Sequence, residues 1–159
     1  GDKIGFIYAD ENGVNIYEMN PDGSNRTQIS NFTEGDLEGF SYSPDGTKVV
    51  YVRAIPKQDK YAYLKEGLDK TTGRVNDDLA YRHWDNWVDA IPQPFVADYK
   101  DGKVLEGKNL LEGTEYESPM RPWGGMEQIT WSPDSKSIVY TCRKKVGKEY
   151  AFSSNSDLY

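Results

Sequence analysis

The chain has 159 residues, with 26 Asp and Glu against 19 Lys and Arg and a formal net charge of −7, which suits one ordinary domain and disfavours nucleic acid and anionic membrane surfaces as partners. Its hydrophobic share of 36% leans on 12 Tyr, so a thick core is not expected, and runs such as Val49-Val50-Tyr51-Val52 are far too short to span a bilayer or form a signal-peptide core. A single Cys (Cys142) and a single His (His83) exclude an internal disulfide and the usual Cys/His zinc sites; no Gly-x-Ser-x-Gly elbow and no Gly-rich phosphate loop occurs.

The first predicted unit, residues 3–29, carries Asn15-Ile16-Tyr17-Glu18-Met19-Asn20-Pro21-Asp22-Gly23. Alternating apolar residues enter an Asp-Gly turn there and a polar strand leaves it, which reads as a hairpin. The second unit, residues 37–111, opens with Ser41-Tyr42-Ser43-Pro44-Asp45-Gly46-Thr47-Lys48-Val49-Val50-Tyr51-Val52. Pro presets φ in its turn, Asp bonds nearby backbone, and β-branched and aromatic residues form the flanking strands. A long insertion at about 55–92 follows, in which Tyr61, Leu64 and Leu68 predict a short helix over 59–66 ended by Gly67. The unit then repeats the Asp-Gly hairpin at Gln93 to Gly102 and exits toward Leu110-Leu111. A second irregular stretch, Pro119-Met120-Arg121-Pro122-Trp123-Gly124-Gly125, leads to the third unit, residues 126–159. Here Thr130-Trp131-Ser132-Pro133-Asp134-Ser135-Lys136-Ser137-Ile138-Val139-Tyr140-Thr141 aligns without gaps on residues 41–52 at an offset of 89. The last few residues predict the start of another strand.

Internal repetition of hairpins with little helical periodicity suits the radial sheets of a β-propeller, whose repeats run to roughly 40–45 residues. The expected fold is therefore all-β: part of a propeller, about two blades of four-stranded antiparallel sheet, with a long loop and short-helix insertion. Since a propeller needs about 4–8 blades, the chain is expected to be a piece of a larger ring. Its exposed strand edges would then make self-association possible.

The strings Asp22-Gly23-Ser24-Asn25 and Tyr42-Ser43-Pro44-Asp45-Gly46-Thr47-Lys48 resemble the repeat of TolB-like propellers. Tyr81-Arg82-His83-Trp84-Asp85-Asn86-Trp87-Val88-Asp89 resembles a string in the N-terminal propellers of prolyl-oligopeptidase-family serine peptidases, the dipeptidyl aminopeptidase and acylaminoacyl-peptidase group. That resemblance implies an exported parent, periplasmic or secreted, in which the propeller precedes an α/β-hydrolase domain and admits peptides to its Ser-Asp-His triad. It implies peptide substrates and that C-terminal domain as partners; with the acidic charge balance, no nucleic acid, no membrane and no cofactor is expected. No triad residue maps onto this chain, so His83 is not a catalytic base and the chain alone is expected to hydrolyse nothing. A TolB-like propeller that binds proteins and has no enzyme attached is the second reading.

Arg82, His83, Trp84, Asp85 and Trp87 concentrate donors, acceptors and stacking surfaces. Two roles compete for them: a wall that contacts substrate or a neighbouring domain, or an internal knot in which Arg82 and Asp85 pair with backbone or with each other and Trp84 and Trp87 fill gaps between blades. Arg121 and Trp123, on a loop shaped by two prolines and two glycines, pose the same choice. The acidic pairs Asp10-Glu11, Asp36/Glu38 and Asp77-Asp78 lack the spacing of a calcium loop and read as solvated turns; no metal ligand set is expected. Cys142 reads as a small packed side chain.

Overall fold

The computed structural model describes residues 2–11, 13–33, 35–58, 61–67, 70–79 and 81–159, without the side chains of Ala62 and Lys65. Its strands run in chain order as β1 (Ile4–Asp10), β2 (Gly13–Met19), β3 (Thr27–Gln28), β4 (Leu37–Tyr42), β5 (Lys48–Pro56), β6 (Arg82–His83), β7 (Asn86–Trp87), β8 (Ala90–Lys100), β9 (Lys103–Val104), β10 (Lys108–Asn109), β11 (Ile129–Trp131), β12 (Ile138–Cys142) and β13 (Asp157–Leu158). They form antiparallel sheets, one of them strongly curled: β1-β2-β3; β10-β8-β5-β4 with β9 also on β8; β11-β12-β13; and the small β6-β7 pair. The fold is all-β, as expected, and consistent with part of a propeller.

The middle sheet explains why the core survives on few apolar residues. Side chains on a strand alternate between faces, and β5 is buried on both. Val49 and Tyr51 face the first sheet in a cluster with Ile16, Ile29, Leu37 and Ala97. Val50 and Val52 face the third sheet, against Ile129, Met126, Trp131, Ile138 and Tyr140. Polar bonds tie the same layers. Glu18 accepts hydrogen bonds from the hydroxyls of Tyr42 (2.7 Å) and Tyr99 (2.8 Å), and burial together with this carboxylate raises both phenols, Tyr99 to about 12. Trp131 Nε1 donates to the Ser41 carbonyl at 3.3 Å.

The two Ser-Pro-Asp turns are wired alike. Ser43 Oγ donates to Asp45 Oδ1 (2.7 Å) and accepts from the Lys48 N–H (2.9 Å); Ser132 Oγ does the same with Asp134 (2.6 Å) and Ser137 (2.9 Å). Gly46 and its counterpart Ser135 both take positive φ, 71° and 60°. Ser135 tolerates that position while its Oγ accepts the Asp45 N–H at 3.0 Å, so one turn docks on the other. The Asp101-Gly102 turn has both residues left-handed (φ 51° and 73°) between the paired Lys100 and Lys103, the geometry whose twist matches a two-residue hairpin. β8 carries Pro92 and Pro94 although both its sides are paired. Their carbonyls accept from Ser118 and Leu110, away from β5, and an antiparallel residue aims N–H and C=O to the same side. Their missing donors thus fall where β10 pairs only Val96 and Phe95.

The predicted helix over 59–66 is reduced to a 3₁₀ turn at Ala62–Lys65; Asp59, Lys60 and Leu68 lie outside the described residues. Tyr63 and Leu64 are exposed, so no apolar face docks to stabilise a longer helix, and one turn cannot sustain itself.

The turn aspartates make stability acid-sensitive. Asp45 is held down to about 2 by the Thr47 N–H and then by the Ser43 and Thr47 hydroxyls; Asp134 and Asp22 are lowered by their own seryl partners. A carboxylate with a depressed folded pKa stabilises above its unfolded value, near 3.9, and loses that contribution as pH falls through the folded one. Denaturant midpoints should therefore drop between about pH 4 and pH 2, and Asp45→Asn should flatten part of that drop. An unchanged slope in Asp45→Asn would contradict the assignment.

Candidate functional site

The insertion leaves the middle sheet where β5 ends and β8 begins, and the Lys57 N–H closes its neck on the Asp89 carbonyl at 2.8 Å. Within it, β6 and β7 pair Arg82 with Trp87 and His83 with Asn86, leaving Trp84-Asp85 as the turn. Trp84 is left-handed, φ 49°, an uncommon conformation for a bulky residue. The Asp85 carboxylate accepts from Asn86 Nδ2 at 3.0 Å. Among the described residues Arg82 reaches only the Asp85 backbone carbonyl for a hydrogen bond, at 3.5 Å, too long for a firm one. Instead Arg82 and Arg74 lie 5.1 Å and 4.4 Å from the Trp87 ring centroid, and Arg74 is anchored by Asp89 at 2.6 Å. Such guanidinium-aromatic contacts at exposed sites contribute about 0.5–1 kcal/mol.

The second irregular loop arrives at the same place. Ser118-Pro119 and Arg121-Pro122 are cis, and Met120 N–H is held by Gln128 Oε1 at 2.9 Å. At Gly124 a Cβ would sit 2.4 Å from the Met120 carbonyl, so the loop closes only with glycine there. Arg121 points inward, donating to the Ala90 carbonyl at 2.9 Å and lying 3.5 Å from Glu38. Trp123 points out and meets Trp84 edge-to-face, centroids 4.8 Å apart. Trp84 and Trp123 are 73% and 74% exposed and fill no gap between sheets.

Below the hairpin lies a cavity of about 310 Å³, walled by Arg82, His83, Ile91, Glu117, Arg143 and Tyr150 among others. His83 is lowered by burial and then by the Arg121 and Arg143 charges. Glu117, 7% exposed, is raised by burial, which outweighs the opposing pull of Arg121 and Arg143. Arg143 lies 5.2 Å from the Tyr150 ring, and its Nε is buried without a hydrogen-bond partner among the described residues. The structure thus brings Trp84 and Trp123 together at the tip of the hairpin, places Arg82 and His83 on the cavity wall, leaves Trp87 exposed with Arg74 and Arg82 against its ring, and ties Asp85 to its own turn. Glu117, Arg143 and Tyr150 escaped sequence reasoning because each sits in an ordinary polar stretch with no motif. Cys142 is fully buried, its thiol pushed up to about 11 by burial, and is inert. No cluster of three or more metal-ligating side chains occurs among the described residues, and no described helix is long and apolar enough to cross a membrane.

With His83 lowered, protonating it opposes folding: below the ordinary range near 6.5 the unfolded chain takes the proton first and stability falls with pH. An NMR titration should place its midpoint below that range, and Arg121→Gln should move it upward. A midpoint unmoved by Arg121→Gln would disprove the coupling.

No family model matches the chain. Among curated proteins it is similar to dipeptidyl-peptidase 5 of Porphyromonas gingivalis, 46% identical over 125 residues, covering 79% of this chain and 18% of that protein. It is also similar to dipeptidyl-peptidase 5 of Porphyromonas endodontalis, 38% identical over 159 residues, covering 100% and 23%, and to that of Arthroderma otae, 27% identical over 155 residues, covering 88% and 21%. The chain spans about a fifth of the length of the curated relatives it matches.

Proposed function

We propose that this chain forms adjoining blades of the propeller of an exported serine peptidase of the dipeptidyl-peptidase type, and that the rim carrying Trp84 and Trp123 gates and orients peptides for a hydrolase domain. The similarity to dipeptidyl-peptidase 5 and the face-to-face stacking of antiparallel sheets support the parent. The observation that carries the rim's role is the pair itself. A bulky residue held left-handed with its ring in solvent costs stability, and strain of that kind collects at functional sites. Arg82, exposed beside it and held by no firm hydrogen bond among the described residues, is the charge that would meet a peptide.

Reading the coding sequence past Tyr159 for a Gly-x-Ser-x-Gly nucleophile elbow tests the parent directly; its absence would favour a protein-binding propeller without an enzyme. In the longer polypeptide, Trp84→Gly and Trp123→Ala should each lower kcat/KM by roughly tenfold, mainly through KM, with the melting temperature unchanged for Trp123→Ala and not lowered for Trp84→Gly, which relieves the left-handed strain. Unchanged kinetics with a lowered melting temperature would reassign both rings to structure. The 159-residue chain by itself should cleave no dipeptidyl chromogenic substrate.

A further inference from the structure

The two outermost sheet faces are built like the faces that meet between the second and third sheets. In β12, Ile138 and Tyr140 pack on Val50 and Val52 of β5, so the alternating Val139 and Thr141 point outward. Thr130 opposes Val139 and Leu158 opposes Thr141, and opposed residues share a face; Leu158 on it is 72% exposed. In β1, Ile7 packs toward the second sheet and a Cβ at Gly5 would meet Phe40 and Tyr42, so Ile4, Phe6 and Tyr8 point the other way, with Tyr17 opposite Phe6. Ile4 and Tyr8 are exposed there. Arg26 lies over the same rings, 3.5 Å from the Tyr8 centroid and 5.0 Å from that of Tyr17, without an ion pair among the described residues. Aromatic rings and arginine on one open face are the composition of a protein contact centre.

The internal repeat states what each face fits. Residues 130–141 align with residues 41–52, which sets Thr130, Val139 and Thr141 where Ser41, Val50 and Val52 stand. Val50 and Val52 are covered by Ile138 and Tyr140, and the Ser41 carbonyl by Trp131 Nε1. Lys3-Ile4-Gly5-Phe6-Ile7 in turn aligns without gaps on Ser137-Ile138-Val139-Tyr140-Thr141, which sets Ile4 and Phe6 where Ile138 and Tyr140 stand. The outer face of the first sheet therefore carries the covering side, and the outer face of the third sheet the covered side, of a contact that the chain already makes internally. Their charges also differ in sign: residues 3–29 hold four acidic and two basic side chains, residues 126–159 four acidic and five basic. Attraction between unlike units favours this pairing over contacts between identical ones.

We propose that a second copy of this chain docks head to tail, the outer face of its first sheet on the outer face of the third sheet of the other, and that two copies with three stacked sheets each close a ring of six, within the range of about 4–8 for propellers. The contact joins two different surfaces, so it repeats until it closes on itself. The inference rests on the stacking of the sheets and not on the peptidase reading, which the downstream coding sequence tests separately.

Sedimentation equilibrium of the 159-residue chain, from micromolar to millimolar concentration, should show a species of twice the 18.1 kDa chain mass. Tyr8→Lys on the first face and Leu158→Lys on the third, both at exposed positions, should each raise its dissociation constant by roughly tenfold or more with an unchanged circular dichroism spectrum. Where Tyr8→Lys alters the spectrum, Ile4→Lys on the same face serves in its place. Mixed in equal amounts, the two variants should associate more tightly than either does alone, because the first keeps an intact third-sheet face and the second an intact first-sheet face. Contacts between identical faces or along strand edges give no such rescue. A monomer at every concentration would mean that only sheets of a longer polypeptide fit these faces. That result would overturn the proposal, as would an undiminished affinity in either variant or a mixture no tighter than its components.

Discussion

Tyr51→Ala is expected to destabilise the chain by about 3–5 kcal/mol, the range for deleting a large buried aromatic. Tyr51 is 2% exposed, stacks on Phe95 with centroids 5.3 Å apart, and lies 4.7 Å from Phe32. Its ring therefore joins the middle sheet to the segment after β3, and its loss leaves a cavity that two rigid sheets cannot collapse to fill. Tyr51→Phe keeps the ring and should cost less than about 1.5 kcal/mol, as near-isosteric swaps do. The hydroxyl has a second consequence. A Cβ at Gly107 would sit 2.1 Å from Tyr51 Oη and 2.8 Å from Cζ, so Gly107→Ala should destabilise by about 1–3 kcal/mol, and that cost should shrink in part, not vanish, in a Tyr51→Phe background. Additive costs in the double-mutant cycle, measured by denaturant unfolding, would show that this contact is not what excludes a side chain at Gly107.

Alanine substitution along β5 should reveal no alternation. Val49, Val50 and Val52 are all fully buried, so each Val→Ala change removes two methyl groups from a packed layer. At about 0.8 kcal/mol per buried methylene plus the cavity left behind, each should cost roughly 1.5–3 kcal/mol. Val139 on β12 is 37% exposed, and Val139→Ala should stay within about 0.5–1 kcal/mol of the parent chain. A strand covered on one face only would show a large cost at every second position. Finding that pattern at Val49 and Val50 would mean that the first or the third sheet does not stack on β5 in solution.

The turns were the most legible part of the molecule. Ser43-Pro44-Asp45-Gly46 and Ser132-Pro133-Asp134-Ser135 carry in four residues both the φ values and the side-chain acceptors that the reversal needs, and the structure wires the two alike. The helix expected over 59–66 is only a 3₁₀ turn because Tyr63 and Leu64 stay exposed, and helical spacing states only which face a helix would bury if something were there to bury it. The extension of β5 and β8 to Pro56 and Ala90 was not legible either, since Pro92 and Pro94 argue locally against a paired strand until their carbonyls are seen bonding away from β5.

The candidate site divides along the same line. Trp84 and Trp123 were singled out by type, but nothing local joins residues 39 positions apart in sequence; their contact depends on where the insertion between β5 and β8 meets the connection from β10 to β11. Glu117 and Arg143 are further from prediction, because a carboxylate in a polar stretch signals solvent until neighbouring segments bury it. What this sequence determined by itself was set by short-range forces: strand faces, reversals, the all-β class and the repeat. What only the tertiary structure decided was which side chains share a cavity and which charges go unpaired, because burial and desolvation belong to the stacked sheets and to no single segment.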